Sequence, residues 1–444
     1  MTAPQGMLAP VDWRVRPWTA ADARHLLWRA QFGASGAEID RALKAGAAAS
    51  VERLLHPTPS REFEETSTLL RRCAMDTGSA LDLKAWWLHR MHHSSHPLVE
   101  KLTLFWHNHF ATSITKVRSA AVMAAQNDLC RREALGSFPA LLHGMSKDAA
   151  MVAWLDGNAN RRRHANENFA RELLELFALG EGHYTEKDIK EAARAFTGWH
   201  VRDDKFWFNR GQHDEGIKTL FGKSGNLDGG DVVNLCLAQP ACPRFLAKKL
   251  LTAFVLPRPS EAAVAALAER VRELDFTMSR VMSELFSSEL FFSREARGSL
   301  IKSPVDLVLG ALRALDGEPN LQAVQRLLAL LGQDVFAPPT VKGWEGGRLW
   351  VTSASLLQRA NFAAALVGSN QCGTIRFLKS PRLRLDASSA QLTKDLAELL
   401  LPQPLDPEQE NQLAQHHAAT KGTPEDRLRS LLHVMMALPE FQQM

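Results

Sequence analysis

Helix starts punctuate this chain from end to end while strand patterning is nearly absent, and that contrast restricts the fold more than any other property of the sequence. Thr19 with Asp22, Ser35 with Glu38 and Thr185 with Asp188 each place a hydroxyl at an N-cap and a carboxylate at the third helical position. There the two side chains satisfy the free backbone N–H groups of a first helical turn. Ser303-Pro304 sets a cap before a proline, tolerated in the first turn because its missing N–H would have no partner there. Apolar residues then recur at helical spacing, as in Leu26, Leu27 and Ala30, and in Val51, Leu54 and Leu55. The same reading predicts helices over 82–93, 98–107, 118–131, 147–155, 166–179, 186–199, 243–255, 260–273, 278–287, 304–315, 319–332, 354–367, 389–401, 406–417 and 425–437. Short strands are expected only at Lys205–Phe208 and Leu349–Thr352. The expected class is all-α, a large multi-helix globular protein with at most a short β-hairpin.

With 444 residues, 45% of them hydrophobic and 23% charged, the chain has enough apolar material for a sizeable core and is too apolar to stay disordered. Gly/Pro-rich breaks at 222–230, 337–347 and 401–407 mark boundaries or functional loops. The working division is an N-terminal helical half, residues 1–230, carrying the polar motifs, and a C-terminal helical half, residues 231–444, with a Gly/Trp loop at 337–350. One continuous domain is the alternative. Apolar runs such as Leu250–Leu256 fall far short of the roughly 18–20 residues of a membrane span, so no span is expected. Asp12, Arg14 and Arg16 interrupt any apolar leader, which places the expected location in the cytoplasm without excluding export.

Lys and Arg total 53 against 49 Asp and Glu, a net charge of +4. That balance argues against nucleic-acid binding by bulk charge. The basic run Arg161–His164 reads as a solvated loop. Five cysteines without a CxxC pair argue against a structural zinc site or a disulfide framework, and reduced buried thiols are expected. No P-loop, dinucleotide GxGxxG, nucleophile-elbow GxSxG, HExxH or kinase signature occurs, so no nucleotide, flavin or haem is indicated.

Histidine placement is more informative, since thirteen of the 16 lie at or before His213. His107 and His109 stand two apart in LFWHNHF; on an unbroken helix they diverge, and they converge only if the helix stops near His107. In NENFARELLELFALG, helical spacing aligns Asn168, Glu172 and Glu175 on one face of an apolar helix. Such carboxylates need a metal, a shared proton or arginines, and Arg171 and Arg194 are the nearest candidates. Tyr184 is the only tyrosine of the chain, beside 21 phenylalanines and 11 tryptophans, so its hydroxyl matters. It is expected to donate a hydrogen bond in a site or to cap a carbonyl. His213-Asp214 is a ligand-type dipeptide of little specificity.

Five blocks resemble, in order, the bacterial family known as domain of unknown function 1800. They are HLLWRAQFG (25–33), PLVEKLTLFWHNHFATS (97–113), NENFARELLELFALGEGHYTEKDIKEAARAFTGW (166–199), HDEGIKTLFGKSG (213–225) and PPTVKGWEGGRLW (338–350). The resemblance implies a helical protein, a gene neighbourhood shared with a sulfatase-like family, and export of many relatives. It implies no reaction and no catalytic residues. The residues themselves point to a metal-dependent or acid/base hydrolase-type enzyme acting on a small or polymeric substrate. His107, His109, Glu172 and His213 would hold a divalent metal (Zn, Mn or Fe). Glu175, Tyr184, Arg171 and Arg194 would serve catalysis, with hydrolysis favoured over oxygen chemistry. The alternative is a non-enzymatic binding or assembly factor acting with a sulfatase-like partner protein, its Trp/Gly loop forming the contact surface.

Overall fold

In the computed structural model, which describes residues 4–56, 58–368, 371–375 and 383–444, helices succeed one another with little else between them. The first ten are α1 (Ala20–Ala30), α2 (Gly36–Ala45), α3 (Ala47–Leu55), α4 (Arg61–Thr77), α5 (Ala80–His93), α6 (Pro97–His109), α7 (Ile114–Val117), α8 (Ala120–Arg132), α9 (Phe138–Ser146) and α10 (Ala149–Trp154). Next come α11 (Asn168–Glu172), running into a π-helical turn Leu173–Ala178, then α12 (Glu186–Ala195), the hairpin β1 (Trp199–Arg202) and β2 (Lys205–Phe208), and the pair β3 (Lys218–Leu220) and β4 (Lys223–Gly225). Then follow α13 (Gly229–Leu237), α14 (Ala241–Phe254), α15 (Glu261–Glu273), α16 (Met278–Ser287), α17 (Pro304–Ala314), β5 (Glu318–Pro319), α18 (Leu321–Leu330) and α19 (Ser353–Gly368). The described chain ends with β6 (Gly373–Thr374), α20 (Ser389–Leu400), α21 (Pro407–Ala419) and α22 (Pro424–Ala437). No described helix is long and apolar enough to cross a membrane.

The caps act as their residue types require. At Thr19, Ser35 and Thr185 the hydroxyl accepts from the third helical amide while the carboxylate at that position accepts from the cap. The expected strand at Lys205–Phe208 is present and pairs with Trp199–Arg202; two further pairs of three and two residues accompany it. Leu349–Thr352, expected as a strand, is not one: Gly347–Trp350 forms a 3-10 turn that buries Trp350. The helix expected to reach residue 199 ends at Ala195, because Gly198 turns the chain at φ 82° into β1. α4 buries only Phe63, Ser67 and Ala74, so its sequence carries too thin an apolar stripe to announce it.

α6 lies at the centre, packed against α1, α3, α5 and α8. It starts at Pro97, and its apolar residues Leu98, Leu102 and Trp106 recur at four-residue steps and are wholly buried. Buried polar contacts join early and late parts of the chain across residue 230. Arg29 on α1 donates to the carbonyls of Phe254 (3.1 Å) and Val255 (3.0 Å), at the C-terminus of α14 where a cation is favoured. Lys101 on α6 pairs with Asp306 on α17, Arg313 with Glu38 at 2.6 Å, and the Ile114 amide with the Phe336 carbonyl at 2.8 Å. The buried apolar residues of both halves form one contiguous cluster.

Candidate active-site cleft

α6 remains helical through His109, so the turn that would have brought His107 and His109 together does not occur. His107 is fully buried among Trp87, Phe336 and Trp344, with ring centres 5.2, 5.5 and 5.9 Å away. Neither of its ring nitrogens has a partner, and burial pushes its pKa down to about 3, so the ring is neutral. His109 faces elsewhere. Its Nε2–H donates to the Phe177 carbonyl (3.0 Å) and its ring sits edge-on to Trp106. Burial, reinforced by the nearby Lys249 charge, holds it neutral too, and its Nδ1 has no partner.

The helix expected over 166–179 is not uniform. From Leu173 it widens into a π-turn, in which the Leu179 amide bonds the Leu174 carbonyl at 3.0 Å, five residues back. The alignment of Asn168, Glu172 and Glu175 on one face presumes an unbroken α-helix and is changed by this extra residue per turn. Glu175 lies within the π-turn and accepts a hydrogen bond from the Tyr184 hydroxyl at 2.8 Å. The lone tyrosine is therefore a donor to a carboxylate. Burial, then Glu175, pushes its phenol pKa up, keeping it protonated. Glu172 has no hydrogen bond or ion pair among the described residues; burial and the adjacent Glu175 raise its pKa, opposed by Lys342.

The other predicted residues are engaged elsewhere. Arg171 pairs with Glu186 (2.9 Å) and Glu167 (3.2 Å), and Arg194 with Asp214 (2.8 Å) and Glu191 (3.0 Å). Neither arginine ion-pairs with Glu172 or Glu175. The His213 Nδ1–H donates to the Thr197 carbonyl at 2.8 Å, fastening the segment after β2 to the end of α12. His107, His109, Glu172 and His213 thus do not assemble into a ligand group. Among the described residues, the group with metal-ligand spacing is His92, His93 and Glu318 instead. Of the cysteines, all free, Cys73 is exposed, against the expectation of buried thiols, and the other four are buried.

An open cleft of about 1420 Å³ is lined by two of the predicted residues, His109 and Glu175. One wall is a single face of α6, carrying Lys101, Phe105, Asn108 and His109 at helical intervals. The π-turn adds Glu175 and Leu176, α14 adds Arg244, Phe245, Lys248 and Lys249, and the Gly/Trp loop adds Lys342 and Trp344. Asn108 fixes that loop: its Oδ1 accepts from the Trp344 amide at 2.6 Å and its Nδ2 donates to the Trp344 carbonyl at 3.1 Å. A Cβ at residue 343 would sit 2.2 Å from Asn108 Oδ1, and φ there is +78°, so only glycine permits the approach.

Lys249 escaped the sequence reading. It has no hydrogen bond or ion-pair partner among the described residues, and its ammonium lies 5.4 Å from the Phe245 ring centre. Burial pushes its pKa down to about 8, so a neutral amine is accessible near neutral pH. The signal was present: a lysine pair inside the otherwise apolar FLAKKLLTAF. A second groove, about 450 Å³, is formed by side chains of α4 alone.

The walls of one cleft in this all-α frame thus carry an unpaired amine, a tyrosine-bound carboxylate and a neutral imidazole. The family described as protein of unknown function (DUF1800) matches residues 25–443, and the chain belongs to that family. No curated protein and no solved structure matches the chain.

Proposed function

We propose that this chain is an acid–base enzyme of hydrolase type, working in the cleft between α6, the π-turn, α14 and the 341–350 loop. The observation that carries the reading is the pairing, on the walls of one open cleft, of Glu175 held by Tyr184 with an unpaired, desolvated Lys249. A carboxylate and a desolvated amine facing one cleft are what acid–base chemistry requires. Glu175 is the base that takes a proton from water, and Tyr184 orients it. Lys249 has two roles open to it by its pKa: as the ammonium it holds a developing negative charge, and as the amine it moves a proton. The cleft exceeds the size of a small-molecule pocket, about 300–1,000 Å³. After Lys101 pairs with Asp306 and Arg244 with Glu261, its walls still carry Lys248, Lys249, Arg258, Lys342 and Arg348 against Glu175, Glu181 and Glu345, an excess of positive charge. An extended substrate bearing negative charge fits that lining.

The test is turnover of a panel of anionic esters and acidic glycosides by the full chain and by Glu175→Gln and Lys249→Met, with circular dichroism to confirm folding. Loss of about 10²–10⁴-fold in kcat/KM in both variants is expected, the usual contribution of positioned acid–base groups. Wild-type rates in both variants, or no turnover across the panel by the wild type, would sink the reading.

A further inference from the structure

We propose that the C-terminal end of α5 and the strand β5 form a binding site for a divalent cation of the zinc class, with His92, His93 and Glu318 as its ligands. One ring nitrogen of each histidine and one carboxylate oxygen of Glu318 lie within 4.8 Å of one another. Zinc–nitrogen and zinc–oxygen bonds run about 2.0–2.2 Å, so small side-chain adjustments bring three such atoms onto one ion.

His92 supplies the independent observation. It is 7% exposed, and its Nδ1 has no hydrogen-bond partner. Its Nε2 lies 2.9 Å from the Gly317 carbonyl. A carbonyl only accepts, so Nε2 carries the proton and Nδ1 keeps an unused lone pair. That is the state of an imidazole whose orientation is fixed by an outer hydrogen bond while its other nitrogen is free to bind a metal. Gly317 immediately precedes Glu318, so one short segment provides both the orienting carbonyl and the carboxylate. Backbone pairing of Glu318 with Thr374 holds that segment in place.

The surroundings suit a cation. His93 Nε2 is 3.4 Å from Glu318. The His89 ring centre is 4.6 Å from that of His93, and the His89 Nε2 is buried without a partner, a neighbouring candidate for a fourth position. The site lies at the C-terminus of a 14-residue helix, the end whose free carbonyls favour positive charge. Arg313 stands close, but its guanidinium is bonded by Glu38 and the His92 carbonyl, each at 2.6 Å. Two nitrogens and one carboxylate are donors that zinc, cobalt and nickel accept, whereas calcium and magnesium prefer all-oxygen shells. The ion would join α5 to a strand far along the chain, and the site does not depend on the chemistry of the cleft.

The experiment is zinc titration of the tag-free, chelator-stripped full chain by calorimetry, with elemental analysis after dialysis. The double variant His93→Ala/Glu318→Gln leaves the His92–Gly317 bond intact, and His183→Ala, an exposed histidine elsewhere, is the control. One equivalent of zinc is expected in the wild type and the control, with binding at least about tenfold weaker in the double variant. Zinc should raise the Tm of the wild type and not that of the double variant. Cobalt should give a visible ligand-field band in the wild type alone. No zinc retained by the wild type, or equal retention by the double variant, would overturn the proposal.

Discussion

Glu100 and Glu175 are both carboxylates set into apolar helices, and the fold treats them in opposite ways. Glu100 on α6 is completely buried and saturated. Arg90 and Arg131 each reach it at 2.8 Å, and Arg131 adds a second bond at 3.0 Å. Burial pushes its proton affinity up, but Arg131 and Arg90 outweigh that and hold the carboxyl below its ordinary pKa. Glu175, half-buried in the π-turn, has one neutral donor, Tyr184, and faces a cleft with an unpaired lysine on its wall. A buried charge held by two guanidinium groups through three hydrogen bonds is architecture, because its charge is already met. A charge left with spare capacity beside open space can act on something else.

The comparison predicts its own breaking points. Glu100→Gln leaves two buried guanidinium groups facing a neutral amide, so unfolding in guanidinium chloride should show a loss of about 3–5 kcal/mol. A loss below about 1 kcal/mol would mean that the triad is not structural.

Lys249→Met should act with the opposite sign. The native lysine has its pKa lowered to about 8 from an ordinary 10.5, so between those values the unfolded chain binds more protons and wild-type stability rises with pH. Below pH 8 the penalty of a buried ammonium is fully present. The methionine variant should therefore be more stable at pH 7, by on the order of 2 kcal/mol, and the gap should close towards pH 10.5. A gap that does not change with pH would show that Lys249 is not desolvated. Tyr184→Phe should have the smallest effect, a loss of about 1 kcal/mol for one hydrogen bond. Unfolding in denaturant checks it: an unchanged stability would detach the tyrosine from the carboxylate.

Much of the fold could be read from caps and apolar spacing, because both are local. The helix at 278–287 has the predicted ends, and α6, α14 and α22 fall within two residues of theirs. The π-turn was not legible, since Leu173–Ala178 carries the same apolar pattern that an α-helix would. Nor was the burial of His107 against Phe336 and Trp344, which lie far along the chain, while His109 reaches the cleft. Glu175 was singled out by helical spacing and Tyr184 by composition, and the two proved to be bonded to each other. Lys249 and the His92–His93–Glu318 group were missed because their meaning lies in what surrounds them: a lysine with no partner, and a carboxylate brought to two histidines from a distant strand.

The bond pair between Asn108 and the Trp344 backbone has a consequence for binding. A side-chain amide that grips both the N–H and the C=O of one residue holds the loop as a neighbouring strand would, whatever side chain that residue carries. The loop wall of the cleft is thereby tethered to α6, a helix most of whose residues are buried. A ligand entering there meets a surface already ordered during folding. The entropy of fixing that wall is subtracted from the stability of the protein and not from the affinity of the complex.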